Sequence, residues 1–219
     1  MTEELTLQIE KLKSYNEKIV QMFAFSVSGE AGHLYEFDLY YAGTANRAVA
    51  IINSFSSLIT TEPLGAIALV RIHLDTFLRA NAIAVAEDRL NFVKEVRAGT
   101  MIQKIKMDSQ TASNLGLGKG ATLLDSNLVK VVKDWAPKIE TLYKSYSDDI
   151  HFSAKAIEKA VIQDSSGISF SIGTNELFTD EDKMEAVQDM IYISEMVLSS
   201  LSAYIVHKSK PDEEAPVPA

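Results

Sequence analysis

The stretch Thr61-Glu62-Pro63-Leu64-Gly65-Ala66-Ile67-Ala68-Leu69-Val70-Arg71-Ile72-His73-Leu74-Asp75-Thr76-Phe77-Leu78-Arg79 decides the fold. Thr61 is a cap residue, Glu62 puts a negative charge in the first turn, and Pro63 sits where a helix leaves its amide unpaired, so a helix is expected to start here. Apolar residues then point in nearly every direction, through Ile67, Leu69, Val70, Ile72, Leu74, Phe77 and Leu78 to Ile83 and Val85. A surface helix keeps one polar side, whereas a helix apolar all round has neighbours on all sides. Residues 61–88 are therefore expected to form the central rod of a bundle.

Working outward, Leu5, Ile9, Leu12, Ile19, Met22 and Phe23 recur at spacings of three and four, which predicts an amphipathic helix over about 3–25. Gly29 and Gly32 mark a break at 26–32, and residues 33–58, with Tyr35, Phe37, Tyr40 and Tyr41, predict a second helix in which Gly43 is tolerated. Residues 90–97 predict a short helix ending at Gly99, 101–107 another turn or two, and the Gly-rich segment 108–119 a loop. Asp125 or Ser126 is expected to cap a helix with Leu128, Val131, Val132 and Trp135 on one side. Pro137 is expected to open the next, with the seam Ile139, Leu142, Tyr143, Tyr146 and Ile150.

Ile168-Ser169-Phe170-Ser171-Ile172 alternates after the turn residues Asp164 to Gly167, so a small hairpin with 160–163 is expected. Thr179 and Asp182 form a capping box for a long final helix through Met184, Val187, Ile191, Val197, Leu201 and Ile205. His207, Lys208 and Lys210 suit its negative end, and Pro211 stops it. The expected organisation is an all-α, single-domain helical bundle over residues 1–210, with the hairpin between the last helices and a mobile acidic, Pro-rich tail over 211–219.

The chain of 219 residues has 47% hydrophobic positions, enough for a sizeable core. It has no Cys, which removes disulfides, thiolate metal sites and a cysteine nucleophile. The start Met1-Thr2-Glu3-Glu4 is acidic where a secretory signal is basic and then apolar, and no uncharged stretch approaches the roughly 20 residues of a membrane span. A cytoplasmic protein without membrane contact is the expectation. A net charge of −9 opposes indiscriminate nucleic-acid binding, although a local basic pocket survives such an average.

Several motifs dissolve on inspection. Gly116-Leu117-Gly118-Lys119-Gly120-Ala121 fits G-x-G-x-x-A, but no strand precedes it, and Gly120 follows Lys119 where a phosphate loop needs Ser or Thr. Glu30 with His33, and Asp148 with His151, have the spacing of bundle metal sites, and Asp38 and Asp75 are candidate further ligands. Four histidines in a chain of this size fall near acids by chance, so neither a metal nor a cofactor is assigned.

Two anomalies remain. Arg71, Asp75 and Arg79 are spaced by four, within an arc of about 80° on the otherwise apolar central helix. Charges there are either paired, as an Arg71–Asp75–Arg79 ladder, or face a cleft where arginine grips an anion and Asp75 orients it. His73, on the opposite side, reads as a core histidine. Along the later helix Tyr143, Ser147 and His151 form a polar stripe beside the apolar seam, and Lys144 and His151 lie two turns apart on nearly one line. A histidine there suits a general base on a ribose hydroxyl, with a cation steadying a phosphate; equally, His151 suits a helix C-terminus as a cation.

Leu69-Val70-Arg71-Ile72-His73-Leu74-Asp75-Thr76 on a central helix, followed by Tyr143 to Ser153 with its Ser-x-x-x-His, resembles the HEPN-like helical proteins of bacteria, including branches around toxin and phage-defence systems. The resemblance covers a helical order and about twenty residues. It implies an all-α bundle, a homodimer and, for active members, a metal-independent ribonuclease with Arg-x(4–6)-His at the dimer interface. His151 matches the family histidine. Lys144, six residues before it, stands where arginine belongs and lacks the bidentate fork, so Arg71 is the candidate substitute. On this view His151, Lys144 and Arg71 act on RNA, with Arg79, Asp75, Ser147 and Tyr143 binding substrate. The rivals are a non-catalytic module that binds a partner protein and, third, a helix-bundle metal protein, because fold alone does not license function.

Overall fold

The computed structural model describes residues 2–28, 35–150, 161–164, 167–170 and 178–208. The described residues form an all-α bundle with one small hairpin. Helix α1 spans Glu3–Ser28, α2 Glu36–Leu58, α3 Pro63–Ala82 and α4 Arg89–Arg97. Short α5 covers Ser109–Asn114, α6 Asp125–Val132, α7 Ile139–Ile150 and α8 Asp180–Lys208.

Helix α3 is the central rod: it packs against α2, α6, α7 and α8, while α1 closes the bundle against α2 and α8. Its Ile67, Val70, Leu74, Phe77 and Leu78 join one core with Leu5, Ile9, Leu12 and Ile19 of α1 and Val187, Ile191, Val197 and Leu201 of α8. Each such side chain contributes about 1.5–3 kcal/mol by leaving water. Helix α3 starts with Pro63 in its first turn, as expected, but Thr61 does not cap it. The residue before the helix is Glu62, without a side-chain cap bond, and the Thr61 hydroxyl donates back to the Ser57 carbonyl at 3.3 Å. The helix gives way at Ile83–Val85 to a single 3-10 turn and stops short of Asp88.

At the end of α4, Gly99 takes φ 91°. Its N–H donates to the Val96 carbonyl and the Thr100 N–H to that of Glu95, which satisfies two last-turn carbonyls in the geometry that favours glycine. The segment expected as a loop over 108–119 contains α5, because the Asp108 carboxylate accepts from the Thr111 N–H at 2.9 Å. Isolated bridges Ala86 to Met107 and Lys106 to Thr122 pin this region, and Ile105, Met107 and Leu123 are buried beneath it.

Strands β1 (Val161–Asp164) and β2 (Gly167–Phe170) pair antiparallel, with Val161 opposite Phe170 and Asp164 opposite Gly167. The capping box of α8 forms as expected: the Thr179 N–H donates to Asp182 at 2.8 Å and the Asp182 N–H to the Thr179 hydroxyl at 3.1 Å. By length and composition α8 is apolar enough to cross a membrane, and the same helix supplies core residues of the bundle. Of the break expected at 26–32, residues 26–28 continue α1; 29–32, His33 and the tail over 211–219 lie outside the described residues.

Candidate functional site

The first candidate is the charge cluster on α3. Arg71 Nη1 bonds to the Asp75 carboxylate, Nε donates to Ser147 Oγ at 3.2 Å, and Nη2 lies 4.0 Å from Asp125 Oδ2. The guanidinium carbon sits 4.3 Å from the Tyr143 ring centre. With both ends paired, a π-face beneath it and a side chain only 7% exposed, Arg71 is taken up in packing α7 and α6 onto α3. Asp75, Tyr143 and Ser147 thus do gather around Arg71, as internal partners.

The expected ladder is only half present. Arg79 turns from Asp75 to Asp125, Nη2 to Oδ2 at 3.7 Å. Asp125 is the residue sequence reasoning missed here. Neither Asp125 nor Ser126 caps α6 as expected: Leu124 holds the cap position, and the Asp125 side chain reaches back between the two arginines. Burial, and secondarily the Asp75 carboxylate, pushes the Asp125 carboxyl above the usual value against the pull of Arg79 and Arg71. Trp135, expected on the α6 face, lies beyond the end of that helix and meets Phe77 edge-to-face at 5.3 Å.

Lys144 is exposed, and no contact of Arg71 among the described residues comes from it. His151 lies outside the described residues, as do Glu30 and His33. Among the described residues no three His, Cys, Asp or Glu gather to hold a metal ion. His73 is fully buried, with Nε2 3.0 Å from Ser194 Oγ. That hydroxyl donates to the Met190 carbonyl, so the imidazole nitrogen is the donor to it, and Nδ1 has no partner. Burial, reinforced by Arg47, lowers the imidazole to about 3.

The second candidate is a groove of about 570 Å³ between α2, α3 and the region from α4 to Ile102. Arg47, Arg79 and Arg97 line it with Thr44, Thr76 and an apolar wall that includes Val93 and Val96, and among the described residues no acidic one lines it. Arg47 Nε donates to Thr76 Oγ1 at 3.0 Å, and that hydroxyl donates to the Ile72 carbonyl, which fixes the arginine stem. Neither Arg47 nor Arg97 pairs with a carboxylate among the described residues. The Arg79 side chain is 40% exposed, and its Nε has no partner. In a chain of net charge −9, a concavity with three cations and no lining carboxylate is where an anion gains most.

Arg79 stands out in the sequence by its spacing from Arg71 and Asp75, whereas nothing along the chain marks Arg47 or Arg97. A lone arginine in an amphipathic helix looks like an ordinary solvated charge until a neighbouring helix closes a hollow beside it.

A third polar centre ties the helix ends. Asp38 is 1% exposed and accepts from the Lys208 ammonium at 2.8 Å, the Tyr204 hydroxyl at 2.7 Å and the Tyr35 N–H at 2.8 Å. Burial alone would raise this carboxyl, but those partners outweigh it and hold it below the ordinary value. Lys208, expected merely to favour the helix dipole, also donates to the Ser26 carbonyl and so joins α1, α2 and α8.

No family model matches the chain, and no curated protein or solved structure matches it at a significant level.

Proposed function

We propose that this protein is a non-catalytic binding module whose ligand is an anion held in the groove by Arg47, Arg79 and Arg97. The observation that carries this is the placement of three arginines, two without any carboxylate partner among the described residues, on a concavity with no acidic lining. Each charge-assisted bond there is worth about 1.5–3 kcal/mol, so removing one arginine weakens binding about tenfold or more.

The test is a calorimetric titration with pyrophosphate. The wild type should bind at one site, with affinity falling as salt rises, and the Arg47→Ala/Arg97→Ala double variant should lose at least a hundredfold. Equal binding by both proteins would discard the proposal.

The ribonuclease implied by the HEPN resemblance requires Arg71, or Lys144, to steady a phosphate beside His151. Arg71 donates to Asp75 and Ser147 and lies within ion-pair distance of Asp125, which supports a packing role instead. On the binding-module reading, purified protein incubated with mixed RNA in EDTA should leave the RNA intact. Cleavage that vanishes in His151→Ala would restore the enzyme.

A further inference from the structure

The lining of the groove says more about its ligand than the charge alone. Leu39, Val93, Val96 and Ile102 give it an aliphatic wall, which a bare inorganic anion would leave in contact with water. Small-molecule sites combine such a wall with a few placed polar groups, and about 570 Å³ lies within their usual range. Tyr40 is its one aromatic residue among the described residues. Its hydroxyl is committed to the Arg79 carbonyl at 2.7 Å, and its ring already meets Tyr41 and Phe92 edge-to-face. A nucleobase therefore finds no free stacking platform, which single-strand recognition relies on.

The charge balance sets the head group. Asp125 offsets part of Arg79 while Arg47 and Arg97 stay uncompensated, so about two positive charges face the groove. A phosphate monoester carries close to two negative charges at neutral pH, a carboxylate only one.

Resting on the anion-binding reading, we propose that the ligand is a free aliphatic phosphate monoester, its head among Arg47, Arg79 and Arg97 and its chain along Leu39, Val93, Val96 and Ile102. Gly43 lines the groove where that chain would lie, and a Cβ built on it meets nothing within 4 Å, so the helix tolerates a side chain at this position.

The experiment is a titration of the full chain with octyl phosphate below its micelle threshold, beside inorganic phosphate, octanoate and AMP. Octyl phosphate should bind at least tenfold tighter than each of the other three, since each methylene leaving water is worth about fourfold. Arg97→Ala should weaken it at least tenfold. Gly43→Leu should weaken octyl phosphate at least tenfold and leave inorganic phosphate within twofold.

Equal affinity for octyl and inorganic phosphate, both lost in the arginine variant, would overturn the aliphatic ligand and keep the anion site. Failure of all four would overturn both. AMP binding as tightly would replace the chain with a base, and competition from phosphatidate vesicles would move the ligand to a membrane surface; either result refutes the proposal.

Discussion

Arg79 Nη2 lies 3.7 Å from Asp125 Oδ2, and this contact joins the sealed charge cluster to the open groove. On one side of Asp125 stands Arg71, buried and bonded to Asp75 and Ser147; on the other, Arg79 reaches the groove wall. One carboxylate therefore sets how much positive charge the groove shows.

Asp125→Asn should raise the affinity for pyrophosphate several-fold, because Arg79 is released, and should lower stability by about 1–2 kcal/mol as Arg71 and Arg79 lose their shared counter-charge. The Asp125 carboxyl is raised above the usual value by burial, so it takes up a proton earlier than a free aspartate as pH falls. Pyrophosphate itself takes up a proton over this range, so the expected signal is relative: wild-type affinity should rise against that of the Asp125→Asn variant as pH falls. Paired calorimetry at neutral and mildly acidic pH checks both.

His73 gives the fold a pH dependence of defined sign. Its folded value of about 3 lies below the ordinary 6.5, so the native state stays neutral where the unfolded chain binds a proton. Stability is fully present above pH 6.5 and falls as pH drops toward 3, by about 2 kcal/mol between 6.5 and 5. Urea midpoints should show this loss in the wild type and a flatter profile in His73→Gln.

The architecture was legible because it depends on periodicity and punctuation. The all-round apolar pattern of α3, the Thr179–Asp182 box and Gly99 each act within one or two turns of chain, and each stands where the residues placed it. What failed locally had a distant competitor. Asp125 is a good cap until two arginines 46 and 54 residues earlier come within reach, and Lys208 is a dipole partner until Asp38 offers a buried carboxylate. The site was half legible. Arg71, Asp75, Tyr143 and Ser147 announced a cluster, but whether a guanidinium is sealed or open depends on which helix packs above it, and spacing along one helix does not contain that.

The Asp38–Lys208 pair should hold the end of the bundle. Asp38→Asn leaves a largely buried ammonium without its counter-charge, which typically costs about 3–5 kcal/mol. Lys208→Met in the same chain should recover part of that loss, and a double-mutant cycle from denaturation curves measures the coupling.

Gly43→Ala should stabilise the chain by about 0.5–1 kcal/mol, because it replaces the most flexible residue in the interior of α2 at a position where a Cβ meets nothing. Thermal unfolding should show a small rise, with pyrophosphate binding unchanged.

The most direct measurement is a backbone-amide NMR titration with pyrophosphate, since it locates the anion without a mutation. Shifts should concentrate at residues 39–47, 76–79 and 93–102, around Arg47, Arg79 and Arg97. Shifts concentrated along α7 near Tyr143, Lys144 and Ser147, with the groove silent, would contradict the account.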